Sequence, residues 1–174
     1  MKIERVFAMP NRWTFQIKPI RNLIKEELTG GKWLDPFVGK NDIQWNRIIT
    51  NDINPSISAD YHVTAEDFLK MFGDAEVDGV LFDPPYSYRQ VKECYEGIGK
   101  HVTQQDTQSY FYSKVRLQIG RVVKAGGKAI CCGWNSTGIG KHQGFKMERV
   151  LLINHGGHHN DTIVTVEKKM NDVL

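Results

Sequence analysis

The amino-acid sequence predicts a doubly wound α/β fold, in which helices cover both faces of a mostly parallel sheet. Three short apolar runs each lead into an acidic residue, and segments with helical periodicity lie between such runs. Continuous apolar runs are typical of strands buried on both faces, as parallel strands are. A chain of 174 residues can bury a single core of ordinary size. We therefore expect residues 1–174 to form one domain.

Two helices are predicted from periodicity. The first begins near Pro19, which suits a first turn, and apolar residues follow Ile20 at spacings of three, four and eight before Gly30-Gly31 supplies a stop. A longer helix is predicted over residues 107–124, because apolar residues recur on one of its faces and Gly126-Gly127 follows as a cap.

The apolar runs predict the strands of the sheet. The three that lead into acids are Trp33-Leu34 before Asp35, Ile48-Ile49 before Asn51-Asp52, and Val80-Leu81-Phe82 before Asp83. Further strands are predicted over residues 129–132, 150–153 and 162–166, and the turn between the last two predicts an antiparallel hairpin that closes the sheet. Ligands of doubly wound sheets bind beyond the carboxyl ends of the strands. The three acids therefore mark the expected site.

Composition argues against several classes of protein. No apolar run approaches the ~20 residues that span a bilayer, and residues 1–12 carry charge early, so we expect neither a membrane span nor a signal peptide. The three cysteines, Cys94, Cys131 and Cys132, lack zinc-type spacing and predict no disulfide framework. A reduced, cytoplasmic location is the expectation.

The net charge of +3 is distributed unevenly along the chain. Residues 35–86 contain ten Asp and Glu against three Lys and Arg, whereas residues 114–149 contain eight Lys and Arg against one Glu. This pattern suits an acidic site for a cationic or polyhydroxylated ligand, surrounded by a basic rim that meets an anionic polymer. Ordinary solvated surface charge is the alternative interpretation.

The segment Asp83-Pro84-Pro85-Tyr86, hereafter the DPPY segment, has the most informative chemistry. Two prolines fix the backbone and remove two N–H donors, so the segment presents acceptors in a fixed geometry. An exocyclic amine is a poor nucleophile because its lone pair is delocalised, and the Asp83 carboxylate and Pro84 carbonyl can accept its two hydrogens. Tyr86 offers a ring on which an extruded base can stack. A proline-rich turn that merely ends a strand is the alternative.

The DPPY segment and Asp35-Pro36-Phe37-Val38-Gly39 resemble the catalytic DPPY and cofactor DPF-x-G motifs of the amino-methyltransferase family of DNA-modifying enzymes. The resemblance implies a Rossmann-like S-adenosylmethionine-dependent methyltransferase fold and methyl transfer to N6 of adenine in DNA. Asp at the head of the motif, where other members have Ser, favours adenine N6 over cytosine N4. RNA as substrate, an N4-cytosine target, and an inert module that binds cofactor or nucleic acid are the alternatives.

The resemblance also implies a role for individual residues. The expected cofactor contacts are Asp35, Pro36, Phe37 and Gly39 at the methionine part of S-adenosylmethionine, Asp52 at its ribose, Asp67 and Phe68 at its adenine, and Thr14 and Phe15 at its methionine end. The Asp52 expectation also follows from its position, because an acid after the second strand of such a fold bonds ribose hydroxyls.

Two departures from the family pattern bear on the site. Asn41 stands where a second glycine is common, and about a dozen residues separate Asp35 from Ile48, so the first crossover must be short or irregular. No insertion is large enough for a target-recognition region, which predicts a short or loose sequence preference. The expected nucleic-acid contacts are Tyr86, Arg89, Asn135 and Lys141, the last two in a Gly-rich segment that is alternatively a mobile loop.

The cluster His155-Gly156-Gly157-His158-His159 invites a zinc interpretation, which we reject in favour of a turn between strands. Cys131 and Cys132 point to opposite faces of their predicted strand, and no Glu stands beside a pair of ligands. We therefore predict no metal. Catalysis by a cysteine at a pyrimidine carbon is also set aside, because none of the cysteines follows a proline at a strand end. The sequence leaves the oligomeric state open.

Overall fold

Seven strands form one mixed sheet in the order β1-β6-β7-β5-β4-β2-β3. The computed structural model describes residues 1–28, 30–40, 48–99 and 109–171. The strands are β1 (Lys2–Phe7), β2 (Trp33–Asp35), β3 (Ile48–Thr50), β4 (Val77–Phe82), β5 (Val123–Gly133), β6 (Phe145–Asn154) and β7 (Thr162–Lys169). Strand β7 runs antiparallel to both of its neighbours, and the other described pairs are parallel. The predicted closing hairpin is therefore confirmed.

Helices pack on both faces of this sheet. They are α1 (Lys18–Glu27), α2 (Ala65–Lys70), α3 (Tyr88–Glu96) and α4 (Ser109–Val122). Helix α1 buries Ile20, Leu23 and Ile24 in one core cluster, whose sheet side includes Leu151 and Ile153. Helices α2 and α4 bury their apolar faces in a second cluster on the opposite side, as a doubly wound fold requires. The predicted α/β fold class is confirmed.

The strand order contains a topological switch point beside β2. The chain runs from β2 outward to its neighbour β3, and then returns across β2 to β4 on the other side. The connections therefore leave the sheet in opposite directions at the carboxyl ends of β2 and β4, which opens a crevice there. Asp35 ends β2, Asp83 follows β4, and Asp52 lies two residues beyond β3. The predicted placement of three acids at three strand ends is confirmed.

The predicted cap of the long helix is wrong. Helix α4 ends at Val122 and β5 begins at the next residue, so Gly126 and Gly127 lie within the strand. Val123 pairs with Val77 of β4, but the next described pair is Gly79 with Lys128, so the intervening residues of β5 form an irregularity. Gly126 has φ +79°, a conformation that glycine adopts readily. Residues 107–108 of the predicted helix lie outside the described residues.

Strand β1 and helices α2 and α3 are not apparent from the periodicity of the sequence. The charged residues of β1 obscure its strand pattern, and the structure explains them by ion pairing at the edge of the sheet. Arg149 of β6 binds Glu4 of β1 at 2.6 Å and Glu26 of α1 at 2.7 Å. A single guanidinium therefore joins three elements that are far apart in the chain.

Arg121 of α4 holds the carboxyl end of α2. Its guanidinium donates to the Leu69 carbonyl at 3.1 Å, the Phe72 carbonyl at 2.9 Å and the Asp74 carboxylate at 2.7 Å. Carbonyls at the end of a helix have no partner within the helix. Arg121 therefore fixes α2 against α4.

Replacing Arg121→Ala should lower the free energy of unfolding by about 2–3 kcal/mol, because partly buried carbonyls lose a charged donor. Urea denaturation measures this effect. Arg89→Ala is the matched control, since the exposed Arg89 pairs, among the described residues, only with Glu93 one turn away, and its loss should change stability little. Equal losses in the two variants would contradict a specific role for Arg121.

Candidate active site

A cavity of about 960 Å³ lies at the carboxyl ends of the strands, at the switch point. Its walls come from the segments after β2, β3 and β4, from α3, from residues 10–14, and from the turn between β6 and β7. This volume is near the upper end of the range for small-molecule sites. It is large enough for a cofactor and a second flat ligand together.

Asp83 is the acid of the DPPY segment and lines this cavity. The Tyr86 hydroxyl donates a hydrogen bond to its Oδ1, and the Thr14 hydroxyl lies 3.3 Å from the Tyr86 hydroxyl. Burial raises the pKa of Asp83 to about 6, although hydrogen bonds from Tyr86 and Thr14 lower it in part. The carboxylate is therefore ionised above pH 6 and protonated below it. Burial also raises the pKa of Tyr86 well above its ordinary value, so this phenol remains a donor.

The backbone of the DPPY segment is held from both sides. The Tyr112 hydroxyl of α4 donates to the Pro85 carbonyl, and the Tyr86 N–H donates to Gln90 Oε1 of α3 at 2.6 Å. No donor among the described residues reaches the Pro84 carbonyl. The segment therefore has a fixed geometry, and its Pro84 carbonyl has no partner among the described residues.

Gly39 and Asp52 form another part of the cavity wall. Asp52 accepts a hydrogen bond from the Gly39 N–H at 3.0 Å on one carboxylate oxygen and from the Asn54 N–H at 2.8 Å on the other. Each oxygen retains a further lone pair for a hydroxyl donor. Gly39 has φ +54°, and a Cβ there would lie 3.0 Å from the Trp13 ring. Only glycine fits this close approach of backbone and indole.

Asn51 joins the segment after β2 to the segment before α2. Its buried amide donates to the Pro36 and Val63 carbonyls, each at 3.1 Å, and accepts from the Val63 N–H at 3.1 Å. A buried amide with all these partners is a strong conformational constraint. Sequence reasoning treated Asn51 only as the end of a strand, because its partners are distant in the chain.

Several predicted site residues meet at the cavity. These are Thr14, Pro36, Phe37, Gly39, Asp52, Asp83, Pro84, Pro85 and Tyr86. Asn41, which stands where the family commonly has a second glycine, lies outside the described residues.

Four predicted cofactor residues do not line the cavity. Asp35 is buried and accepts from the Phe37 N–H at 3.1 Å, and burial raises its pKa well above its ordinary value. Phe15 and Phe68 are fully buried in the two core clusters. Asp67 accepts from the Thr64 hydroxyl at 2.7 Å in the first turn of α2. Helical periodicity explains the positions of Phe68 and Asp67, since α2 turns Phe68 toward the core and leaves Asp67 exposed.

Of the four predicted nucleic-acid contacts, Tyr86 alone lines the cavity. Arg89 is exposed and bonds Glu93 at 2.8 Å, whereas Asn135 accepts from the Thr137 N–H at 3.0 Å. Lys141 lies in a short 3-10 helix away from the cavity.

Trp134, the first residue after β5, lines the cavity; it begins the predicted Gly-rich segment, but Asn135 and Lys141 are the contacts that the sequence predicts there. Its ring meets the Tyr86 ring edge to face, with centroids 5.7 Å apart and an angle of 62°. The indole is 43% exposed, so part of it is accessible to a ligand. A tryptophan directly after a predicted strand whose carboxyl end faces the site is a signal in the sequence that could have indicated this residue.

The basic stretch 114–149 does not form a rim around the cavity. Five of its cations lie within 4.0 Å of an acid: Lys114 with Glu66, Arg121 with Asp74, Lys124 with Asp78, Lys128 with Glu27, and Arg149 with Glu4. Lys124 also lies at the amino end of β5 and Lys128 at its middle, and neither lines the cavity. The uneven charge of the sequence is therefore largely neutralised within the fold, which corrects the rim interpretation.

His155 has a structural role at the turn between β6 and β7. Its Nδ1 lies 2.8 Å from the Ala8 carbonyl and its Nε2 lies 2.9 Å from the Thr162 hydroxyl. Both ring nitrogens are thus engaged, and the imidazole joins the segment after β1 to the start of β7. Across the part of the chain that the structure describes, no three His, Cys, Asp or Glu residues are grouped as metal ligands, and no helix has the length and apolarity to cross a membrane.

Comparison with solved structures identifies the fold. TrmN from Thermus thermophilus matches with a TM-score of 0.60 and 16% identity, over 88% of this chain and 49% of TrmN. An S-adenosylmethionine-dependent methyltransferase from Archaeoglobus fulgidus matches with a TM-score of 0.56 and 12% identity, over 87% of this chain and 92% of its own. This is the fold of S-adenosylmethionine-dependent methyltransferases. The predicted Rossmann-like methyltransferase fold is confirmed.

Sequence comparison adds nothing to this assignment, since neither a protein-family model nor a curated protein matches the chain. A further methyltransferase-fold structure is the 1,6-didemethyltoxoflavin-N1-methyltransferase of Burkholderia thailandensis with bound S-adenosylhomocysteine. It matches with a TM-score of 0.58 and 10% identity, over 87% of this chain and 76% of its own. The chain spans about half the length of TrmN.

Replacing Asp83→Asn should stabilise the methyltransferase fold at pH 8. The folded protein binds a proton at Asp83 more tightly than the unfolded chain does, so ionisation of Asp83 costs folding free energy. A pKa of about 6 instead of the ordinary 3.8 corresponds to at most about 3 kcal/mol.

The gain from Asp83→Asn should be fully present above pH 6 and should disappear by about pH 3, below the ordinary pKa of 3.8, where Asp83 is protonated in both the folded and the unfolded state. Urea denaturation at pH 8 and about pH 3 measures it. Glu93→Gln, at an exposed acid of α3, is the control and should show no such gain. A loss of stability at pH 8 in Asp83→Asn would show that burial of the charge is not unfavourable.

Proposed function

We propose that the protein is an S-adenosylmethionine-dependent methyltransferase that acts on the exocyclic amino group of a nucleic-acid base, namely N6 of adenine in DNA. The observation that carries this proposal is the position of Asp83. Its carboxylate and the Pro84 carbonyl belong to the same cavity as Asp52 and Gly39, at the switch point of a methyltransferase fold. Acceptors for an amine thus adjoin a site suited to the cofactor.

The residues present fit S-adenosylmethionine. Asp52 has lone pairs for the ribose hydroxyls, and Gly39, which has no side chain, contributes main chain to the cavity wall. Ile53 and Ile57 offer apolar surface to the adenine. Thr14 lies beside the Tyr86 hydroxyl that binds Asp83, where the methionine end would reach the reacting group. When bound, S-adenosylmethionine supplies a methyl group on a positively charged sulfur, which a nitrogen lone pair can attack. In this proposal Ile53 and Ile57 replace Asp67 and Phe68 as the adenine contacts.

The residues of the DPPY segment activate the amine. The Asp83 carboxylate and the Pro84 carbonyl each accept one hydrogen of the amino group, which concentrates its lone pair on nitrogen. Asp83 then takes the proton that nitrogen loses once the new N–C bond has formed. The hydrogen bonds of Tyr86 and Thr14 fix the orientation of the carboxylate during these steps.

Tyr86 and Trp134 hold the target base. A base cannot reach this cavity while it is paired in a duplex, so it must be extruded or unpaired. The edge-to-face rings form a corner against which a flat heterocycle can pack. The same corner suits an adenine of RNA, which is therefore tested beside DNA.

A free heteroaromatic amine is the second candidate substrate. The internal ion pairs of the basic stretch favour it, because they leave fewer cations for a phosphate backbone. The Burkholderia thailandensis structure named above contains a small bound heterocycle, 1,6-didemethyltoxoflavin. Both substrates require the same Asp83 chemistry.

The test supplies labelled S-adenosylmethionine with unmethylated single-stranded DNA, duplex DNA, RNA and free adenine compounds, and then identifies the labelled product after digestion. We expect label on N6 of adenine, and Asp83→Ala should reduce the rate at least about 100-fold. For the wild-type protein, kcat/KM should fall about tenfold per pH unit below pH 6, because protonated Asp83 accepts no hydrogen bond.

Label on cytosine or on a free compound would replace the adenine assignment. Binding of the cofactor without transfer to any acceptor would favour an inert module. A rate that is independent of pH between 5 and 8 would contradict the role of Asp83.

Cofactor affinity should distinguish Asp52 from Asp67. Asp52→Ala should weaken binding of S-adenosylhomocysteine about 10- to 100-fold, because ribose hydroxyls lose a charged acceptor. Asp67→Asn is the matched control and should bind normally, since Asp67 is exposed outside the cavity. Titration calorimetry measures both, and a larger loss in Asp67→Asn would restore the assignment implied by the sequence.

A further inference from the structure

The segment 134–140 carries Trp134 to the cavity and is held at several points. It begins where β5 ends, turns through the hydrogen bond from the Thr137 N–H to Asn135 Oδ1, and buries Ile139 in the core. Its far end is bound by Glu167 of β7. The position of Trp134 therefore depends on how the whole segment is fixed.

Glu167 is an acid with 2% exposure in a strand that has neighbours on both sides. Its Oε2 accepts from the Ile139 N–H at 2.5 Å and its Oε1 accepts from the Gly140 N–H at 3.1 Å. Hydrogen bonds to an ionised acceptor are stronger than those between neutral groups. Both oxygens of the carboxylate are thus used on the same short segment.

The fit of the segment on Glu167 is close. Gly138 has φ +59°, and a Cβ there would lie 2.2 Å from Glu167 Oε2. Only glycine lets the backbone pass over the carboxylate at this distance. The Arg116 guanidinium of α4 favours the charged form of Glu167, although burial raises the pKa of this acid overall.

A carboxylate is a costly group to bury, and core packing alone does not require one. Apart from a 3.9 Å contact with Cys131 Sγ, the described hydrogen-bond partners of Glu167 are the two amides of segment 134–140. The proposed chemistry at Asp83 does not use Glu167. Its described hydrogen bonds thus serve mainly to hold this segment.

We propose that Glu167 is a positioning residue for the target base. By fixing segment 134–140, it sets the Trp134 ring edge to face with Tyr86, so that an unpaired base packs against both rings. This inference rests on the proposed function, because it concerns the substrate half of the same cavity. Glu167 acts through Trp134 and contacts neither substrate nor cofactor.

The kinetic test compares Glu167→Gln, Trp134→Ala and the double variant, with single-stranded oligonucleotide as substrate. A Gln can accept on only one oxygen, so the segment loosens. We expect KM for the oligonucleotide to rise about tenfold in each single variant, with kcat and KM for S-adenosylmethionine changed less than about twofold. The double variant should resemble Trp134→Ala alone, since both changes remove the same contact.

Glu148→Gln is the matched control. The side chain of this acid of β6 is 42% exposed, and its contact with Lys128, at 3.9 Å, is a long one. This variant should leave both KM values unchanged. A fall in kcat without a rise in oligonucleotide KM in Glu167→Gln would indicate a merely structural role and would overturn the proposal. Multiplicative effects in the double variant would overturn it as well.

Hydrogen exchange separates this inference from the proposed function. In Glu167→Gln the amides of Ile139 and Gly140 should exchange at least about tenfold faster than in the wild type, with the core strands unchanged. Unchanged exchange would overturn the positioning role even if the enzyme methylates DNA. If the wild-type protein methylates no nucleic acid, the proposed function is refuted, and with it the role of Trp134 toward a base. Faster exchange in Glu167→Gln would then still show that Glu167 holds the segment.

Discussion

The parallel register of β2, β3 and β4 is the constraint on which the site depends. Because the three strands run in the same direction, Asp35, Asp52 and Asp83 all come to one edge of the sheet. The return of the chain from β3 across β2 to β4 then opens a crevice at that edge. Asn51 stabilises one wall of the cavity by bonding the segment after β2 to the segment before α2.

The burial of Asp83 links stability to chemistry. Partial burial raises the pKa of its carboxyl group to about 6 and makes the ionised form unfavourable for folding. The same burial strengthens the hydrogen bonds through which Asp83 would bind an amine. Tyr86 and Thr14 compensate part of the cost and fix the orientation of the group. A buried group that lowers the free energy of unfolding is expected at an active site, where reactivity is often gained at the expense of stability.

The two halves of the cavity are supported by different kinds of contact. The Asp52 carboxylate accepts from Gly39 and Asn54, which lie in the segments directly after β2 and β3. Trp134 instead depends on a segment held from β7, far along the chain. The substrate half is therefore the one that distant substitutions can alter without affecting the cofactor half.

The sequence by itself determined strands β2 to β7, the acids that follow three of them and the DPPY segment, because short apolar runs and paired prolines act locally on the backbone. It did not determine side-chain partners, which depend on contacts between distant residues. Only the tertiary structure turned Phe68 into the core and paired five cations of residues 114–149 with acids, so that the described residues of this stretch form no basic rim at the cavity. Only the tertiary structure brought Trp134 beside Tyr86, because the end of β5 meets the end of β4 once the sheet has formed.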